Sequence, residues 1–149
     1  MSVQCKTVLQ SDLQDLVFVK VKFPRCIPRE LIENVKGRTF TPDQFYFYQE
    51  NQRDNPNNYL FALIDDTKVI HGYIWAEKNF LDDSLFVNTF SITKKYWNKG
   101  EAIQTAITFV SDLKIKSAAA RVFWITTNEK FFAKQGFKKS RNVLMEYHD

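Results

Sequence analysis

The stretch between residues 85 and 126 constrains the fold most strongly, because it reads as strand, helix and strand in succession. An alternating apolar run at 85–93 predicts a strand, and residues 100–115 carry apolar side chains at helical spacing. A second apolar run at 121–126 predicts another strand. Connections of this kind are right-handed in almost all proteins and make the two strands parallel. We therefore expect a parallel strand pair bridged by one helix.

Around this crossover the sequence predicts hairpins and short helices. Apolar runs at 59–64 and 69–75 flank the turn residues 65–68, and a strand over 84–93 follows the turn at Asp82-Asp83. Other expected elements are a strand over 3–9, a helix opened by Pro28 and ended by Gly37, a helix over 41–53 capped by Thr41, a helix over 128–135 ended by Gly136, and a final hairpin or long strand over 137–147. The order indicates a mixed α/β (α+β) fold with a central, mostly antiparallel sheet.

The composition favours one domain in a reducing compartment. At 149 residues the chain is long enough to bury a core without disulfides. Cys5 and Cys26 have no metal or redox spacing, and the sequence shows no signal peptide or long apolar run, which predicts a cytoplasmic protein with no metal and no membrane partner. A formal net charge of +4, with basic residues clustered between 130 and 141, permits nucleic-acid binding without requiring it.

The loop at residues 96–102, between the predicted strand and the crossover helix, has the character of an anion site. Backbone N–H groups in the first turn of a helix lack intrahelical partners and, with the positive end of the helix dipole, favour an anion. Lys94, Lys95 and Lys99 add positive charge beside the loop. A single glycine before a helix is more often an ordinary turn, so this signal alone does not identify a ligand.

Three motifs in the second half of the chain lead to one resemblance. Residues 128–140 predict a short helix followed by Gly136-Phe137, residues 143–147 predict an apolar last strand, and residues 69–74 place a glycine inside a predicted apolar strand. In these motifs, and from about residue 59 to 147, the chain resembles the GCN5-related N-acetyltransferases. The resemblance implies a splayed parallel strand pair with helices on both faces of the sheet.

The resemblance also implies one domain over 1–149, with an acceptor side at 1–58 and a cofactor-binding core at 59–149. The acyl-CoA loop of the family reads Gln/Arg-x-x-Gly-x-Gly/Ala, and residues 97–102 match its two small positions but not its first. Acetyl-CoA, or another acyl-CoA, would lie where the two parallel strands separate. The cofactor-binding residues implied are Phe90, Ile92, Thr93, Trp97, Asn98, Lys99, Gly100, Glu101, Ala102, Asn128 and Phe132.

The family chemistry is direct attack of an amine on the thioester, and here two proton-handling positions are apolar. The tyrosine that usually protonates the leaving thiolate is replaced by Phe132, and the glutamate of some members falls near Phe86. Water can protonate the thiolate at some cost in rate. Alternatively, Tyr73, Glu77 or His71, on one face of the predicted third strand, can substitute. A third alternative is binding without catalysis. Of these residues, Tyr73 and Glu77 are our catalytic candidates.

The acceptor would be a primary amine on a small molecule or a protein. By the resemblance, the helix over 41–53 contributes to the acceptor pocket, and Phe45 and Tyr48 on one of its faces are our substrate-binding candidates. Three functions remain open at this point: an N-acyltransferase, a noncatalytic binding module, and an enzyme acting on an amine linked to nucleic acid. Pairing of two chains through the last strand is common in the family, so a homodimer is a further expectation.

Overall fold

The computed structural model describes residues 15–35, 40–96, 100–124, 129–140 and 147. Within them lie five strands, four α-helices and two short 3-10 helices. The strands are β1 (Val17–Lys20), β2 (Asn58–Ile64), β3 (Ile70–Asn79), β4 (Ser84–Ile92) and β5 (Arg121–Trp124). The α-helices are α1 (Arg29–Glu33), α2 (Pro42–Asn51), α3 (Gly100–Lys116) and α4 (Glu129–Lys134), and the 3-10 helices are Pro24–Cys26 and Lys94–Tyr96.

The strands form one sheet in the order β1-β2-β3-β4-β5. The first three pairings are antiparallel, and β4 and β5 pair in parallel through the crossover helix α3. This arrangement confirms the expected mixed, mostly antiparallel sheet with one parallel pair. Because consecutive side chains of a strand point to opposite faces, β2 and β3 supply residues to two separate cores.

Helices cover both faces of this sheet. Leu31 of α1 and Phe45 of α2 pack on one side with Tyr73 of β3, and we call this side the α2 face. On the other side Ala106 and Val110 of α3 pack in a second cluster, which includes strand residues of β3 and β4. The apolar stripe predicted for α3 thus contacts the sheet as expected.

Local sequence signals fix the ends of two helices. The Thr41 hydroxyl accepts a 3.1 Å bond from the Gln44 backbone N–H, while the Gln44 side chain accepts a 2.8 Å bond from the Thr41 N–H. This reciprocal capping box starts α2 at the predicted position. At the end of α4, Gly136 has φ +91°, and the Phe137 N–H donates back to the Phe132 carbonyl at 3.1 Å. Both findings confirm the sequence-based boundaries.

Other predicted elements differ from the structure or lie outside it. No pattern in the sequence predicted β1, whose residues are mostly exposed at the sheet edge. The expected final hairpin or strand has no regular secondary structure over 137–140, and residues 141–146 are outside the described part of the chain, as is the predicted strand over 3–9. In the described residues, no helix is both long and apolar enough to cross a membrane.

Candidate functional site

In the described residues, the parallel strands β4 and β5 pair from Ser84 opposite Arg121 to Val87 opposite Trp124. β4 continues to Ile92 and stays paired to β3 on its other side. Residues 125–128, which follow β5, lie outside the described part of the chain. The resemblance places the separation of the two strands in this region, and we refer to the region as the strand separation.

A β-bulge in β4 directly follows the last described pair of β4 and β5. Trp75 of β3 lies opposite Thr89 and Ala76 lies opposite Val87, so Asn88 is the extra residue of β4. Bulges re-aim the backbone and side chains next to them and are frequent beside active sites. Here the Asn88 side-chain amide donates a 2.8 Å bond to Oε1 of Glu77.

The end of β4, the start of α3 and α4 come together. Ala102 in the first turn of α3 is buried with Ile92 of β4. A Cβ atom added at Gly100 would lie 3.3 Å from Cε2 of Phe131 in α4, so this glycine lets the helix start approach α4 closely. The hydroxyl of Thr93, directly after β4, is buried and has no hydrogen-bond partner among the described residues.

Part of the predicted cofactor set is outside the described residues. Trp97, Asn98, Lys99 and Asn128 fall there, and their assignment stays a prediction. Glu101 is exposed in the first turn of α3, where its carboxylate interacts favourably with the positive end of the helix dipole.

Phe132, at the position of the missing tyrosine, lies in an aromatic cluster. Its side chain is 5% exposed. The ring centroid is 5.1 Å from that of Trp124 and 5.2 Å from that of Phe137. The neighbouring Phe131 lies 6.0 Å away and also contacts the Gly100 position. Phe90 of β4 is half-buried and packs against the cores on this side. These rings make the α4 side of the strand separation strongly apolar.

A carboxylate lies on the opposite side of the strand separation. Glu77 of β3 is directly across from Phe86 of β4, so their side chains share one face of the sheet. The Tyr48 hydroxyl donates a 2.6 Å bond to Oε2 of Glu77, and Asn88 holds the other oxygen. Burial, reinforced by Glu77, raises the pKa of Tyr48 to about 12, so that hydroxyl stays protonated near neutral pH. Glu77 is therefore held in place by two donors.

The other two polar candidates of β3 have different surroundings. Tyr73 is fully buried, with its ring 5.3 Å from that of Phe45. His71 forms a 2.8 Å bond through Nε2 with Asp65, whose pKa is lowered mainly by this bond. Since a strand rises by about 3.3 Å per residue, Glu77 and Tyr73 are attached roughly 13 Å apart along β3.

The two substrate-binding candidates, Phe45 and Tyr48, also differ in burial. Phe45 is buried in the core of the α2 face, whereas Tyr48 is 38% exposed and lies 5.4 Å from the Trp75 ring. Sequence reasoning missed Trp75 and Asn88. A polar residue interrupting an apolar strand was the available signal for Asn88, but the bulge that turns it toward Glu77 depends on strand pairing and has no local signature.

Comparison with known proteins supplies no relative at the level of sequence. No family model matches the chain, and no curated protein gives a significant match. Solved structures do match. The glucosamine-6-phosphate N-acetyltransferase of Arabidopsis thaliana has a TM-score of 0.66 at 17% identity, covering 90% of this chain and 99% of that one.

The chain has the GCN5-related N-acetyltransferase fold. AAC(6')-Iy, solved in complex with a bisubstrate analog, CoA-S-monomethyl-acetylneamine, matches with a TM-score of 0.66 at 14% identity, over 90% of this chain and 98% of that one. A spermidine N-acetyltransferase chimera from Vibrio cholerae matches with a TM-score of 0.64 at 14% identity, over 81% and 76% of the two chains. The likeness to these structures covers 81–90% of this chain.

Proposed function

We propose that this protein is an acyl-CoA-dependent N-acyltransferase that transfers an acetyl group to a primary amine by direct attack. The observation that carries the proposal is the arrangement of β4, β5 and α3: in the described residues β4 pairs in parallel with β5 up to Val87, and α3 begins shortly after β4 ends. Exposed strand backbone can pair with a peptide-like chain, and the amides of a helix start can hold phosphates. Acyl-CoA combines both features in one molecule.

In this proposal the residues around the strand separation bind acyl-CoA. The backbone of Phe90 and Ile92 pairs with the pantetheine arm. The next polar group along this edge is the Thr93 hydroxyl, which has no hydrogen-bond partner among the described residues. The loop from Trp97, through Asn98 and Lys99, and the first turn of α3 hold the pyrophosphate. Gly100, Glu101 and Ala102 provide that turn, while Asn128 and Phe132 line the opposite wall. When bound, the thioester supplies an activated acyl group.

Glu77 is the proposed acceptor of the proton that the attacking amine loses. The carboxylate is held by Tyr48 and Asn88 and lies across from Phe86, the position where some family members carry their glutamate. A base one strand away reaches the same face of the sheet. Tyr73, our other catalytic candidate, is fully buried, so we assign the proton transfer to Glu77.

Protonation of the leaving thiolate is assigned to water, because Phe132 has no proton to donate. General acid catalysis typically contributes about 100-fold to 10,000-fold, so an enzyme of this design is slow without being inactive. The aromatic surroundings of Phe132 also favour a second candidate function, a noncatalytic module that binds acyl-CoA or an acylated partner.

The acceptor is proposed to be a cationic primary amine, on a small molecule or a protein. Tyr48 and Trp75 offer ring faces beside the Glu77 carboxylate, a combination that attracts ammonium groups. Two structural neighbours are named for glucosamine 6-phosphate and for spermidine, and a third was solved in complex with a CoA-S-monomethyl-acetylneamine analog. In this proposal residues 1–58 form the acceptor side and residues 59–149 the cofactor-binding core, in a cytoplasmic protein able to pair as a homodimer.

Thiol release from acetyl-CoA tests this proposal. The purified protein is incubated with a panel of polyamines, amino sugars, aminoglycosides and peptides, and free CoA is measured. The transferase proposal predicts amine-dependent release that Glu77→Gln abolishes. Release from none of the amines, by a protein that binds acetyl-CoA, would favour the noncatalytic module. If the acceptor amine is linked to nucleic acid, the protein should bind that nucleic acid with an affinity that falls steeply as the salt concentration rises.

A further inference from the structure

Two phenylalanine rings lie on the α2 face of the sheet, next to the Glu77 carboxylate. The bond from Tyr48 of α2 places Glu77 on this face. Phe86 of β4 is directly across from Glu77, and Phe123 of β5 is directly across from Phe86. Because directly paired residues share a face, Glu77, Phe86 and Phe123 form a row across three strands. We call the two rings the Phe86–Phe123 surface.

These two rings are not part of the protein cores. Neither belongs to the three buried clusters formed by the described residues, and both rings are partly exposed. The residues on either side of Phe123, which are Val122 and Trp124, pack on the opposite face with the cluster that includes α3. Ligand sites are lined mainly by apolar and aromatic side chains with a few placed polar groups. Partly exposed rings beside a fixed carboxylate have this composition.

The two rings form a shallow surface and not a close stack. Their centroids are 6.5 Å apart, and their planes are inclined by 36°. Aromatic pairs in contact have centroid separations of about 4.5–7 Å, so this pair lies near the upper end of the range. A third ring that packs on this surface can therefore contact both phenylalanines.

The helices of the α2 face contact the sheet at other positions. At the end of β4, the Ser91 hydroxyl donates a 2.5 Å bond to the Leu31 carbonyl of α1. At β3, the Tyr48 ring of α2 lies 5.4 Å from that of Trp75. The Phe86–Phe123 surface lies on the β5 side of the Trp75 contact. A molecule that reaches Glu77 from the β5 side of the sheet therefore passes over these rings.

The charges along the row suit a ligand with one ammonium group. Glu77 supplies a carboxylate at one end. At the other end, the guanidinium carbon of Arg121 lies 5.3 Å from the Phe123 centroid. Asp82, the carboxylate at this end, accepts a 2.6 Å bond from the Ser84 hydroxyl and lies 3.5 Å from Arg121. A second ammonium group over Phe123 would be repelled by Arg121 and would meet a carboxylate that is already bonded.

We infer that the acceptor is an arylalkylamine, a primary monoamine whose aromatic ring packs on Phe86 and Phe123 while its nitrogen lies at Glu77. Neighbouring strands are about 4.8 Å apart, so a ring over Phe86 is about 5 Å from a nitrogen over Glu77. A linker of about two carbon atoms spans this distance. The inference rests on the proposed function, because it assigns the amine to Glu77. It adds Phe86 and Phe123 as residues that determine specificity.

Comparison of three amines as acceptors for the full-length protein tests the inference, with free CoA as the measured product. Phenethylamine is compared with hexylamine, which is apolar but has no ring, and with spermidine, which carries further ammonium groups. We expect kcat/KM to be at least about 10-fold higher for phenethylamine than for either of the others, since its ring contacts both phenylalanines.

A variant of the Phe86–Phe123 surface tests the role of the rings. Phe123→Leu keeps an apolar side chain and removes one ring contact, so the preference for phenethylamine over hexylamine should fall about 5-fold. The matched control is Phe80→Leu, since Phe80 is 69% exposed at the end of the β3–β4 hairpin. The control should change the preference less than about 2-fold.

Calorimetric titration with phenethylamine in the presence of CoA separates this inference from the proposed function. Saturable binding that Phe123→Leu weakens and Phe80→Leu does not would support the surface, and a lack of turnover would then count against the transferase alone. Turnover of hexylamine or spermidine as fast as that of phenethylamine would overturn the inference and leave the transferase standing. No saturable binding of phenethylamine at tens of millimolar, or equal effects of the two variants, would also overturn it.

Discussion

The two sides of the strand separation differ in chemistry. On the α2 face, Glu77 is held by Tyr48 and Asn88 in a polar network beside aromatic rings. On the α4 side, Phe132 is packed among Trp124, Phe131 and Phe137. A transferase must take a proton from the amine and return one to the thiolate. Among the described residues, the carboxylate proposed for the first task lies on one side, and the side chains packed around Phe132 on the other side are aromatic.

Because of this contrast, the proposed reaction divides into steps that depend on different parts of the protein. Under the proposal, amine activation depends on Glu77, whereas thiolate protonation is left to solvent. Acyl-CoA binding is proposed to depend on a third feature, the backbone at the end of β4 and the start of α3. Substitutions in the three regions should therefore affect different measurable quantities.

The largest effect is expected at the start of α3. Gly100→Asp adds a carboxylate where the pyrophosphate is proposed to lie, and its Cβ crowds Phe131 at 3.3 Å. Acetyl-CoA affinity, measured by calorimetry, should fall by about 100-fold or more while the circular dichroism spectrum is unchanged. Thr108→Asp, which adds the same charge on the exposed side of α3, is the control and should bind normally. Equal affinity for both variants would rule out the loop assignment.

The second effect tests the polar side of the comparison. Glu77→Gln removes the proposed proton acceptor and leaves one oxygen for two donors. We expect kcat to fall by about 100-fold, in the usual range for acid–base groups, with little change in acetyl-CoA affinity. Glu30→Gln, an exposed substitution on α1, should leave kcat unchanged. If Glu77→Gln keeps full turnover, the proton goes elsewhere and Tyr73 returns as the candidate.

A gain of function tests the apolar side. Phe132→Tyr places a hydroxyl where the family usually has one, and turnover should rise by about 10-fold if thiolate protonation limits the rate. Phe137→Tyr adds the same hydroxyl to a neighbouring ring and is not expected to raise turnover. A Phe132→Tyr enzyme no faster than the parent would show that the thiolate step is not limiting, or that the site is noncatalytic.

The smallest effect on activity is expected at the Asp65–His71 pair, which we assign to stability. The Asp65 carboxylate bonds His71 and accepts from the Thr67 hydroxyl, the Thr67 N–H and the Val69 N–H, and these bonds lower its pKa. The folded-state pKa is below the unfolded value of about 3.9, so the stabilisation is present above that pH and is lost as the pH falls below it.

Asp65→Asn should accordingly lower the thermal unfolding midpoint at pH 7, and the difference from the parent should shrink near pH 3. Turnover at a temperature where both proteins are folded should be unchanged. Asp66→Asn, at the neighbouring turn position, keeps all four bonds and should unfold like the parent. A loss of kcat in Asp65→Asn would instead give His71 a part in the chemistry.

Much of the fold could be predicted because its signals are local. The capping box at Thr41, the turn at 65–68 and the apolar stripe of α3 depend on residues close in sequence. The glycine predicted inside β3 is required sterically, since a Cβ atom at Gly72 would lie 2.6 Å from the Ser91 carbonyl oxygen. β1 escaped prediction because an exposed edge strand of four residues has no clear alternation.

The candidate site was less accessible to sequence reasoning because it depends on strand register. Period-2 alternation groups Tyr73 with Glu77, but only the packing of α2 shows that one is fully buried and the other bonded to Tyr48. The bulge at Asn88 and the hydrogen bonds from Trp75 to Asn58 and from Asn58 to Gln49 join residues that are not neighbours in the chain.

Calorimetric titration of the folded protein with acetyl-CoA, alongside CoA, tests the central claim most directly. Binding with a micromolar dissociation constant is the predicted result, because the separated strands and the start of α3 are proposed to hold the pantetheine arm and the pyrophosphate. Absence of binding by a protein shown to be folded would contradict the account and would mean that the acetyltransferase fold serves another purpose in this chain.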